Sequence, residues 1–291
     1  RAAYRTLLAR MDDEFVNGAP PGFDLADCSE NDCNEWIGAQ IRADLYGWVC
    51  PGNPDLAVRL VTADAALSHR GEGINGARFV AALGALIPGA ASMRVALEAA
   101  LQYIAAGSAA AEAVRFAMAL GSGENAVDRL HDEFDGLSPV HTLNNLAVVA
   151  WALNTFDGDF SAALGDTVSA GWDTDCNGAT VGGLLGLSGA TIPDHWTSPW
   201  NGRVATSLAG VGEIAIDDIV ARTMRVATAM ASTGTRLDLE RSSSDILDDS
   251  VVKNTNRIAG IGSNWTRGAT CQHSRKSLHS ACWRSQQRRG S

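Results

Sequence analysis

Asp173 and Asp175 are the residues in this chain whose types and spacing most readily suggest chemistry. They lie in Gly171-Trp172-Asp173-Thr174-Asp175-Cys176-Asn177-Gly178, directly before an Ala/Gly/Leu run from Ala179 to Leu187. Alternate residues before a helix can aim two carboxylates at one point. Hard cations such as Mg²⁺ take oxygen ligands of this kind. The same residues also start helices, because Asp and Thr oxygens accept from the free backbone N–H groups of a first turn. Local sequence therefore leaves two readings open, a metal site and a helix cap.

Other polar groups invite the same question. His69 stands at a helix end, where a lone histidine serves the helix dipole. His141-Thr142-Leu143-Asn144-Asn145 opens a helix with cap-forming side chains. Asp12-Asp13 reads as the solvated end of a first helix. Six cysteines are scattered, with no CxxC pair and no partner at zinc-finger spacing after Cys28 and Cys33. Free thiols in a cytoplasmic protein follow from that pattern.

The elements that must position these groups are helical. Ala and Gly are abundant, and long Val/Ile/Thr runs are scarce. Apolar periodicity predicts helices over 1–13, 35–48, 55–69, 91–105, 109–121, 124–134, 141–155 and 216–230. A further helix from Phe160 delivers the chain to Gly171. Gly71 to Gly76 reads as a Gly-rich link into an Ala/Leu helix ending near Leu86. Residues 17–34 and 192–197 read as loops. No strand is expected.

The chain has 291 residues, 46% of them apolar, enough for a sizeable core. The pattern predicts one domain over 1–231, then a polar, disordered tail over 232–291. Residues 241–291 hold nine Lys/Arg against three Asp/Glu, a net of +6; the total of −10 leaves −16 on the first 240 residues. Such an acidic body argues against general nucleic-acid binding. No apolar run reaches the roughly 18 residues of a membrane span.

Taken together, five segments resemble the ADP-ribosylglycohydrolase family, particularly its microbial branch. They are Glu35-Trp36-Ile37-Gly38-Ala39-Gln40-Ile41-Arg42, Ser68-His69 with Ile74-Asn75-Gly76-Ala77, His141 to Asn145, Gly171 to Gly182, and Ile192-Pro193-Asp194-His195-Trp196. They follow the family's order. The resemblance implies an all-α fold, a compact multi-helix orthogonal bundle, with two divalent ions, Mg²⁺ or Mn²⁺. It implies hydrolysis of the glycosidic bond between ADP-ribose and a protein or small-molecule acceptor. A non-catalytic relative that binds ADP-ribose or serves a structural role is the alternative.

Carried over from that resemblance, Asp173 and Asp175 are metal ligands, and Cys176 stands where the family often has a Thr ligand. His69, Asn75 and Gly76 would lie beside ribose or diphosphate, and Gly38 and Ala39 would offer backbone N–H groups to phosphate. The family's first acidic cluster, which supplies the remaining ligands and a catalytic acid/base, has no counterpart here. The expectation is that the chain begins after it, so no catalytic residue is assigned.

Overall fold

The structure is a computed structural model and describes residues 2–5 and 25–237. Residues 2–5 are helical. The remainder of the helix expected over 1–13, with Asp12-Asp13, lies outside the described residues. So do the first part of the loop expected over 17–34 and the expected tail from residue 238 onward.

The main chain runs through α1 (Asp44–Trp48), α2 (Pro54–Ala65), α3 (Gly71–Leu86), α4 (Met93–Ala100), α5 (Ala109–Leu120), α6 (Ala126–Glu133), α7 (Thr142–Thr155), α8 (Phe160–Ser169) and α9 (Thr174–Leu187). Several helix starts carry side-chain caps. Asn53 accepts from the Leu56 N–H at 3.1 Å, with Pro54 in the first helical position. Ser92, Ser108 and Asp159 cap α4, α5 and α8 in the same way. The all-α expectation holds, apart from one small two-stranded sheet.

Two helices form the middle of the molecule. α3 packs against α1, α2 and α4, and α7 packs against α5, α8 and α9. Both are apolar on nearly every face, as interior helices are. Close approach is purchased with glycine. A Cβ on Gly47 of α1 would come within 2.7 Å of the Gly84 Cα and 2.8 Å of the Ala81 carbonyl of α3.

The helix expected over 35–48 is not continuous. The Ile37 N–H donates to the Val140 carbonyl at 2.9 Å, and the Thr142 N–H donates to the Glu35 carbonyl at 3.0 Å. Trp36 and His141 thereby form an antiparallel bridge. Backbone groups spent on residues 140–142 cannot close helical rings. The chain turns through a 3₁₀ segment, Gln40–Arg42, and becomes α-helical only at Asp44. Conversely, the expected link Gly71–Gly76 is the first part of α3. Its glycines admit neighbours instead of breaking the helix: a Cβ at Gly73 would lie 2.4 Å from the Asn34 carbonyl.

Other helices are shorter than periodicity predicts. α2 stops at Ala65, and α4 is followed by a 3₁₀ turn at Leu101–Tyr103. Beyond α9 the chain makes a short α10 (Asp194–Thr197) inside the expected loop. An unexpected antiparallel hairpin follows, of β1 (Arg203–Ala205) and β2 (Glu213–Ala215). The last described element, α11 (Ile216–Leu237), continues past Ser232.

Candidate metal centre

The chain reaches the acidic pair through two residues in the left-handed region. Gly171 has φ 86° and Trp172 has φ 57°. Glycine takes this conformation freely, whereas a tryptophan there costs about 1–3 kcal/mol and persists only where its surroundings hold it. They do. The Trp172 ring stacks on His131 of α6 at 4.2 Å between centroids and meets the edge of Phe134 at 6.4 Å. His131 Nε2 donates to the Ala170 carbonyl at 2.8 Å, so one side chain supports both the ring and the backbone before it.

Asp173 occupies the N-cap of α9, yet its side chain makes no capping hydrogen bond. Its carboxylate instead belongs to a cluster with Asp175 and Cys176, whose ligating atoms all lie within 4.8 Å of one another. Partial burial raises the Asp173 carboxyl above its ordinary value. Asp175 adds to that rise, while a hydrogen bond from the Cys176 thiol opposes it. The Cys176 thiol is pushed up to about 12, by burial first and then by the two carboxylates. At neutral pH it is therefore a protonated donor to Asp173.

This donor set suits a hard divalent cation at its carboxylates and not at its sulfur. Two like-charged carboxylates held together carry an electrostatic penalty that a cation would relieve. Asp173 and Asp175 are the residues that could hold a divalent cation, as part of its oxygen shell.

Beneath the pair lies Asn145 of α7, fully buried. Its Oδ1 accepts from the Asp173 N–H at 3.1 Å and from Asn177 Nδ2 at 2.8 Å. Its Nδ2 donates to the carbonyls of Pro139 at 2.9 Å and His141 at 2.7 Å. The start of α7 is tied in turn to residues 34–37 by the bridge already described. Glu35 completes the junction: its Oε1 accepts from the Glu72 N–H at 3.1 Å, and its Oε2 faces His141 Nε2 at 3.7 Å.

Gly38 and His69, expected beside substrate, do meet each other. A Cβ on Gly38 would lie 3.1 Å from His69 Nε2. His69 is 7% exposed, and its ordinary value near 6.5 falls to about 4, chiefly through burial and then through the Arg42 charge. Its Nδ1 lies 2.7 Å from Ser68 Oγ, and its ring hydrogen-bonds the Trp36 backbone. Arg42 donates to the Gly38 carbonyl at 2.7 Å and to Ser68 Oγ at 3.1 Å.

The remaining expected substrate residues are engaged within the fold. Ala39 is fully buried in the core. Gly76 gives room to its neighbours, since a Cβ there would lie 2.4 Å from Thr142 Cγ2 and 2.8 Å from Gln40 Oε1. Asn75 Nδ2 donates to Glu72 Oε2 at 3.1 Å. That carboxylate also accepts from the Ala109 and Ala110 N–H groups at the start of α5.

Sequence reasoning read Asn145 only as part of a cap-forming helix start, and gave no role to Glu72 or His131. A signal existed for Asn145: two adjacent amides stand inside an otherwise apolar helix, where burial demands partners. Glu72 caps a helix that begins 37 residues later, and no local pattern announces that.

The Ile192–Trp196 segment sits elsewhere. Trp196 donates from Nε1 to Ser161 Oγ at 2.9 Å and packs edge-on to Phe160. It follows the C-terminal end of α9, and a helix of that length separates its ends by about 20 Å. A cavity of about 900 Å³ opens there, between Gly182 and Gly183 of α9, Trp196, Trp200 and the hairpin. A second, of about 280 Å³, lies near Met93, Asp157 and Ser188. Neither is lined by Asp173 or His69. No described helix is long and apolar enough to cross a membrane.

Compared with known families, residues 1–236 match ADP-ribosylglycohydrolase. No curated protein and no solved structure matches the chain.

Proposed function

The chain belongs to the ADP-ribosylglycohydrolase family, and from that premise we propose that it is a metal-dependent hydrolase. It would remove ADP-ribose, or a related ribosyl group, from a protein or small-molecule acceptor. The observation that carries this reading is the behaviour of Asp173. It stands in a capping position and does not cap; its carboxylate is held next to Asp175 instead.

Each residue contributes a definable part. Asp173 and Asp175 present oxygen ligands, with the Cys176 thiol beside them. Held there, Mg²⁺ or Mn²⁺ would supply Lewis acidity for activating a water. The carboxylates also stabilise oxocarbenium character at the anomeric carbon as the glycosidic bond breaks. His69, neutral at physiological pH, braces the Trp36–Gly38 turn through Ser68 and the Trp36 backbone. The free thiols of Cys33, Cys50 and Cys176 favour a reducing compartment, and we place the protein in the cytoplasm.

Calorimetric titration of Mg²⁺ or Mn²⁺, followed by ADP-ribose, tests this reading in the wild type and in Asp173→Asn and Asp175→Asn. Cation binding should be weakened at least tenfold in either variant, with ADP-ribose binding dependent on the ion. Asp173→Asn should leave the melting temperature of the ion-free protein unchanged or higher, since it removes a partly buried charge. Unaltered ion binding together with about 1 kcal/mol of lost stability would mean that Asp173 is a helix cap and nothing more.

A further inference from the structure

The junction below the acidic pair is built around one side chain with no spare capacity. Asn145 can accept two hydrogen bonds and donate two, and all four positions are filled. The orientation of its amide is fixed by the partners themselves. The Asp173 backbone N–H can only donate, so it must face Oδ1. The Pro139 and His141 carbonyls can only accept, so they must face Nδ2.

The consequence falls on the first turn of α9. The Asp173 peptide is gripped on both sides: its N–H by Asn145, and its carbonyl by the Asn177 N–H at 2.9 Å. Asn177, fully buried and one helical turn further on, donates its side chain to the same Asn145 oxygen. Residues 173 and 177 are thereby anchored on the inner face, and Asp175 is left exposed on the outer one. The same anchor holds the chain after the left-handed Trp172, where a looser turn would relax and swing Asp173 away.

We propose that Asn145 is the positioning residue that holds the Asp173 and Asp175 carboxylates in register for a divalent cation. This rests on the reading of those two aspartates as its ligands. Neither an aspartate nor an aliphatic residue offers the same grip. An aspartate would turn an acceptor towards two backbone carbonyls and bring a third negative charge to the pair. An aliphatic residue would leave the Asp173 N–H, the Asn177 amide and two carbonyls without partners.

The test compares Asn145→Ala, Asn177→Ala and a control, Val58→Ala, which opens a fully buried site in α2. Mg²⁺ and Mn²⁺ affinities are measured by calorimetry, beside melting temperature and hydrogen exchange of the Asp173 amide without metal. Asn145→Ala should weaken cation binding on the order of 10- to 100-fold and release the Asp173 amide to fast exchange. Asn177→Ala removes only one of the two bonds to Oδ1 and should weaken binding several-fold. The control should melt lower and keep wild-type affinity. If Asn145→Ala does not fold, Asn177→Ala decides the matter by itself.

Wild-type affinity in a folded Asn145→Ala or Asn177→Ala variant, with binding still lost in Asp173→Asn, would overturn the positioning role and leave the metal site standing. An equal loss in Val58→Ala would reduce Asn145 to a stability residue. A wild-type protein that binds no cation would overturn both readings.

Discussion

The junction of residues 34–42, 69–76, 138–145 and 171–177 and the stretch 192–237 are held in opposite ways. In the junction, partners distant in sequence decide the backbone. Residues 35–37 give up a helical pattern to pair with residues 140–142, and Trp172 accepts a left-handed conformation under His131 and Asn145. In the later stretch, Trp196 on Ser161 and Phe160 apart, local preference decides. The hairpin turns where Gly210 and Gly212 take positive φ, and α11 keeps its helix with Val220 at 53% and Met224 at 61% exposure. Over-determination is what a site needs, because a ligand carboxylate must stay within a fraction of an ångström of its place. The difference can be tested by substitutions whose costs should fall steeply from one region to the other.

The largest effect is expected just behind the junction, where α1 crosses α3. Gly47→Val would drive its side chain against the Gly84 Cα, the Ala81 carbonyl and the Ala85 nitrogen, all backbone atoms that cannot turn aside. A loss of about 4 kcal/mol or more is expected by chemical denaturation. A loss below about 1 kcal/mol would show that the helix crossing is looser than its geometry.

The next effect depends on pH. His69 binds its proton at about 4 in the fold and near 6.5 ordinarily. The unfolded chain therefore takes up the proton first as pH falls. Stability contributed by neutral His69 is complete above about pH 6.5 and is lost progressively down to about pH 4. The gap corresponds to about 3 kcal/mol. Unfolding free energies of wild type and His69→Gln, from urea titrations between pH 7 and 4, should converge by that amount. Parallel curves would mean that His69 is not held neutral by the fold.

Much of this architecture is legible in the sequence, for reasons that also mark where legibility stops. α2 and α7 declare themselves by apolar spacing and by a cap at each start, and both signals are local. The Asp173–Asp175 pair is legible as an acidic couplet before a small-residue helix. Local sequence could not choose between cap and ligand. The choice depends on the Asp173 carboxylate turning away from its own first turn, and that turn is set by Asn145, 28 residues earlier. The break at 35–43 is hidden for the same reason, because a periodic pattern does not reveal that residues 140–142 will claim its backbone. The hairpin is missed on other grounds: two strands of three residues leave almost no alternation to read.

The smallest effect should carry the opposite sign and come from the boundary of the second region. Gly186 is exposed in the last turn of α9, and a Cβ there would meet only the Ile192 Cδ1, at an ordinary 3.8 Å. Gly186→Ala should therefore raise stability by about 0.5 kcal/mol, since alanine restricts the unfolded chain and favours the helix. The added Cβ that the α1–α3 crossing cannot accept becomes favourable where the chain is held by local preference. A destabilisation by Gly186→Ala would place the 188–196 segment among the tightly fitted parts of the molecule, and the contrast between the two regions would then begin only after Trp196.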